Sequence, residues 1–126
     1  MEASWAQAGE GGDRGEELEA ARRARELAPG EPSVEFRLAV LLHGSGDFEG
    51  AAKAFGAAAQ SSAELGEAAY LDAGRLGRCA CLLELGDPAG ALEGLAGVGP
   101  AAQLWLGSLH DARSVAEAAK AALGLG

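Results

Sequence analysis

The sequence predicts an all-α chain, and three observations carry that expectation. Much of the apolar content is alanine, while aromatic residues make up only 5% of the 126 positions. That composition suits closely packed helices and leaves few of the β-branched and aromatic side chains that fill sheets. Short Gly, Pro and Asp turns then cut the chain into helix-sized pieces. Within one piece, GDFEGAAKAFGAAAQ, Phe48 and Phe55 stand one heptad apart among alanines and glycines, on one face of a helix.

Seven helices are expected. Residues 1–12 hold Gly9, Gly11 and Gly12 and read as a flexible lead-in with Trp5 as an anchor. The first helix runs from Asp13 to Ala28, with Glu16, Glu17 and Glu19 early and Arg22, Arg23 and Arg25 late, as the macrodipole favours. Pro29 and Gly30 stop it. The second covers residues 33–44, with Ser33 as candidate N-cap. The third follows Asp47 as N-cap to about Glu64, and the fourth spans Glu67 to Leu85 across Gly74 and Gly77. Asp87-Pro88 opens a short fifth helix, since proline tolerates the first helical position. A sixth is expected over residues 101–110 and a seventh after Asp111, ending at Gly124. Such close punctuation leaves no room for a sheet.

With 19 acidic and 10 basic residues the formal charge is −9, which repels a phosphate backbone and argues against nucleic acid as a partner. The same charge steers a basic partner or simply solvates the surface. Apolar runs fall short of the ~18 residues that span a bilayer, and MEASWAQAGEGGDRGEE has neither the basic nor the apolar region of a secretory signal. Cys79 and Cys81 lie two apart on a helix and face different ways, so they read as small buried or half-buried thiols in a reducing, cytoplasmic setting.

Gly46-Asp47-Phe48-Glu49-Gly50-Ala51 recurs as Gly86-Asp87-Pro88-Ala89-Gly90-Ala91, and AAKA at 51–54 recurs at 118–121. In residues 32–65 the chain resembles the tetratricopeptide repeat family, whose unit is a helix–turn–helix of 34 residues. Leu38, Ala39 and Leu42 occupy the family's first-helix positions. Gly46 lies in its turn, and Phe48, Ala51, Phe55 and Ala58 follow the second-helix series. Glu35 departs from the usual tryptophan and Ala63 from the frequent proline. Residues 66–99 match at Cys79, Leu82, Gly86, Ala91 and Leu95, with Arg78 and Pro88 departing; residues 13–31 and 100–126 are degenerate. The resemblance implies a short α-solenoid of antiparallel helix hairpins. Small residues at each crossing would let the helices approach, and Gly50 and Gly56 are expected to serve such contacts.

In that family the first helix of each unit lines a concave groove. Here the resemblance assigns to the groove Ser33, Phe36, Arg37, Val40 and His43, then Ala73, Leu76, Ala80, Leu83 and Glu84. The surface suits an extended or helical peptide; the apolar members equally suit a core. A clamp for a terminal carboxylate needs asparagine, which the chain lacks, and only Arg37 stands at a clamp-like position. Arg75 and Arg78 form a basic patch or pair with Asp72 and Glu84, the latter preferred. Trp105 reads as core or as a docking residue with Leu104 and Leu109. His43, His110 and the CAC pair have no metal-ligand spacing, and no nucleophile or phosphate-loop motif is present. The expectation is therefore a non-enzymatic adaptor without cofactors that binds a protein or peptide. A structural subunit of a larger complex or homo-oligomer is the alternative.

Overall fold

The structure is a computed structural model describing residues 2–125, with side chains from residue 15 onward. The side chains of the expected lead-in, Trp5 included, lie outside the described residues. Six helices and one short hairpin follow in order: α1 (Glu2–Leu27), α2 (Pro32–Gly44), α3 (Phe48–Leu65), α4 (Leu71–Glu84), α5 (Pro88–Leu95), β1 (Gln103–Trp105), β2 (Leu109–Asp111) and α6 (Ala112–Ala122). The chain is all-α apart from that hairpin, and each helix packs chiefly on its neighbours in sequence.

The repeated GDxxGA phrase is a repeated structure. Gly46 and Gly86 take φ of 87° and 80°, a left-handed conformation that ends the preceding helix at little cost to glycine. The next residue caps the following helix: Asp47 Oδ1 accepts from the Gly50 N–H and Asp87 Oδ1 from the Gly90 N–H, each at 2.9 Å. A Cβ on Gly50 or Gly90 would run into that same aspartate carboxylate. These glycines serve the cap, which corrects the expectation that Gly50 meets a neighbouring helix. Ala51 and Ala91, next in the phrase, are fully buried. The AAKA echo is only partly structural: Ala52 and Ala119 are both buried, but Ala51 and Ala54 are buried whereas Ala118 and Ala121 are exposed.

The close crossings lie on α4. A Cβ on Gly74 would sit 2.8 Å from the Phe55 carbonyl oxygen, and one on Gly77 2.6 Å from the Phe55 ring. A Cβ on Gly94 of α5 would lie 2.7 Å from Cys79 Sγ. Position 74 meets 59 while 77 meets 55, so α3 and α4 run antiparallel; α4 and α5 do likewise, 79 meeting 94 and 75 meeting 97. Phe55 is the largest fully buried side chain and stacks edge-on against Phe36, with centroids 5.5 Å apart and an interplanar angle of 71°. Leu38, Ala39, Ala58, Leu76, Cys79 and Ala80 complete the centre of the core.

Several boundaries differ from expectation. The first helix starts at Glu2, so the residues expected as a lead-in before Asp13 belong to α1, and α4 starts at Leu71 instead of Glu67. Ser33 does not cap α2: the N-cap is Glu31, without a side-chain bond, and the Ser33 hydroxyl donates to Glu31 Oε1 at 3.3 Å. The helix expected over 101–110 is instead the β1–β2 hairpin. Leu104 and Leu106 are buried with Trp105 exposed between them, a two-residue period that only an extended strand satisfies. Gly107, at φ 80°, then reverses the chain. Asp111 caps α6 through a reciprocal pair, accepting from the Ser114 N–H at 2.7 Å while its own N–H donates to Ser114 Oγ at 3.0 Å.

Candidate functional site

The groove residues assigned from the sequence divide into three groups. Leu76 is 0% exposed and belongs to the core. That corrects its assignment to the groove: it lies one residue from Gly77, where α4 presses on Phe55. Phe36 and Val40 are half-buried against the core, Phe36 also lying 5.1 Å from the Tyr70 ring. Arg37 is exposed and 3.6 Å from Glu17, a surface pair of small energetic worth.

Leu83 and Glu84 do open into a cavity. Together with Ala80 they form one wall of a cleft of about 510 Å³, whose other walls are Leu109 and His110 of the hairpin and Ser114, Val115 and Ala118 of α6. The walls are mixed: aliphatic side chains alternate with the Glu84 carboxylate, the His110 imidazole and the hydroxyls of Ser108 and Ser114. His110 Nδ1 lies 3.0 Å from the Ser108 carbonyl oxygen. His43 packs edge-on against Phe48 at 5.1 Å and feels both Glu84 and His110 electrostatically. The α2, α4 and hairpin groups thus belong to one side of the molecule. Trp105 and Leu109, opposite each other across the hairpin, are 67% and 55% exposed.

Burial lowers the His43 pKa below its ordinary 6.5; the charge of His110 adds to this and that of Glu84 opposes it. The unfolded chain then binds the proton more readily, so stability is constant above about pH 6.5 and falls as pH drops below it. Urea melts should show a lower midpoint at pH 5.5 than at pH 7.5, and His43→Gln should diminish that difference. An unchanged pH difference in the variant would place the titrating group elsewhere.

A second cleft, of about 490 Å³, opens between α3, α4 and α5 because Gly56, Gly94 and Gly97 bring no side chains to it. Arg75 and Arg78 line it. The expected pairing of these arginines with Asp72 and Glu84 does not form: Arg75 Nη1 instead donates to the Gly97 carbonyl oxygen at 2.9 Å. The turn after α5 brings the Gly97 carbonyl within reach of the Arg75 side chain.

Both thiols are buried and free. Burial pushes the Cys81 pKa up to about 12, with Glu84 adding to the shift, and burial likewise raises Cys79. Thiols held protonated at neutral pH are poor nucleophiles and poor metal ligands. Among the described residues no group of His, Cys, Asp and Glu is arranged to hold a metal ion, and no helix is long and apolar enough to cross a membrane. The cleft sets the Glu84 carboxylate and the His110 imidazole beside the side chains of Leu83, Leu109 and Val115.

Sequence reasoning reached the α4 wall of this cleft and the start of α6 at Asp111, but not the hairpin between them. The alternation in QLWL was the signal for the hairpin. No family model, curated protein or solved structure matches the chain.

Proposed function

We propose that this chain is a non-enzymatic interaction module, similar to tetratricopeptide repeat adaptors, that binds a protein or peptide segment on the side built by α2, α4, the hairpin and α6. The carrying observation is the cleft in which Leu83 and Glu84 face Leu109 and His110. Three further features support the reading. Helices pack in sequence order, as in repeat proteins. The turn phrase recurs with the same cap. The cleft joins apolar walls to a few polar groups, the make-up of side-chain pockets. A net charge of −9 and the Glu84 carboxylate favour a ligand with an aliphatic residue next to lysine or arginine, and disfavour nucleic acid. An intracellular location belongs to the same proposal and fits two free, protonated thiols.

The test is affinity capture with the wild type, Leu83→Glu, and Glu93→Gln as a control on the exposed surface of α5, each checked by circular dichroism. A bound protein should be retained by wild type and control and weakened roughly 10- to 100-fold by Leu83→Glu, the equivalent of losing one buried aliphatic side chain. Equal retention by all three would remove the cleft from consideration.

A further inference from the structure

The hairpin leaves backbone groups unused along the outer edge of β1. Register places Trp105 opposite Leu109 and Leu104 opposite His110, and the Leu106 N–H donates to the Ser108 carbonyl oxygen at 3.0 Å. Hydrogen-bonded and non-bonded pairs alternate along an antiparallel ladder. The bond at 106/108 therefore makes Leu104–His110 the bonded pair and leaves Trp105 in a non-bonded one. The N–H and C=O of Trp105 point away from β2, and among the described residues they have no backbone partner there. The outer side of β2 carries the Leu109 N–H and C=O in the same way but is cut short: the Asp111 N–H is taken by Ser114 Oγ, and the chain turns at once into α6.

Side chains mark the same edge. Trp105 and Leu109 stand side by side, 67% and 55% exposed, while Leu104 and Leu106 anchor the hairpin beneath. Exposed edges in natural sheets are defended by lysine, proline, inward charges or bulges. None of these lies in QLWLGSL, and no residue from Gly94 to Leu109 is charged. That neutrality points to the occupant. Most of the surface of a −9 chain repels a second copy, whereas this edge brings no charge to an approaching copy.

We propose that the edge of β1 takes a second copy of this chain, strand against strand. A two-fold axis at Trp105 makes the edge its own complement. Each Trp105 N–H then donates to the other copy's Trp105 carbonyl oxygen, and the Trp–Leu rows of the two hairpins join across four strands. Three-residue strands and four large side chains bury less than the ~1,200 Å² of a standard interface, so the dimer is weak and forms at high concentration. Added salt strengthens it, because screening relieves repulsion between two like-charged copies; an association built on ion pairs would respond in the opposite sense. Leu109 also lines the peptide cleft, whereas Trp105 does not, so Trp105 is the position that separates self-association from peptide binding.

Analytical ultracentrifugation of the full chain tests this, from low to high micromolar protein and at low and high salt. The mass should climb from 12.6 kDa towards twice that value, further in high salt. Trp105→Lys, at an exposed side chain and with its helical circular dichroism intact, should abolish the climb. Amide resonances of Trp105 and Gln103 should shift with concentration in the wild type. A monomer at every concentration and salt overturns the proposal. So does a dimer that persists in Trp105→Lys or weakens in high salt, and so does an edge that takes a different protein while the chain alone stays monomeric.

Discussion

Phe55→Ala should lower the free energy of unfolding by about 3–5 kcal/mol, the range for deleting a buried aromatic. Phe55 is 0% exposed and lies where three helices meet: Phe36 of α2 contacts its ring edge-on, and Gly74 and Gly77 of α4 abut its backbone and ring. Helices already held apart by other contacts cannot close fully on the vacated space, so the cavity cost adds to the lost burial. Domains of this kind are stable by about 5–15 kcal/mol, so this single change removes a large share. Urea denaturation at fixed pH measures it. A loss below about 1 kcal/mol would mean that the crossing collapses around alanine and that Phe55 is not the centre of the core.

Gly77→Ala should also destabilise, by about 1–3 kcal/mol, as expected for overpacking. In an isolated helix the same change helps by roughly 1 kcal/mol, so the sign depends on what the new methyl meets. At position 77 it meets the Phe55 ring at 2.6 Å, a distance no relaxed Cβ contact shows. Gly56 provides the contrast on the partner helix. A Cβ there would lie 3.5 Å from Arg78 Cδ, an ordinary contact with a flexible side chain, and Gly56→Ala should raise stability by up to about 1 kcal/mol. Thermal melts of the two variants side by side decide the matter. Shifts in the same direction would contradict the packing of α4 on α3.

The contrast shows where residue patterns mislead. Gly50 and Gly56 stand beside Phe55 in sequence and invite assignment to a helix crossing, yet one serves a cap and the other faces an arginine. Gly74 and Gly77 read as mere interruptions of helix propensity and are the residues that admit α3. A glycine in a helix signals that something approaches closely; which element approaches is a property of the partner surface. Arg75 behaves alike, since its choice of the Gly97 carbonyl over Asp72 was settled by a residue in the turn after α5.

The chain's own residues determined the helices α2 to α5, the end of α1, the Asp111-capped α6, the two Gly-Asp turns and the aspartate caps, because hydrogen bonds within a few residues decide these. Identity also determined the core positions Leu38, Ala39, Ala51, Phe55 and Ala58, through spacing along one helix face. Tertiary structure alone decided the rest. It converted residues 103–111 to a hairpin that buries both Leu104 and Leu106, sent Leu76 inward at the glycine crossing, and joined Leu83 and Glu84 of α4 to His110 of the hairpin. These outcomes depend on contacts between segments distant in the chain, whose energies no local pattern records.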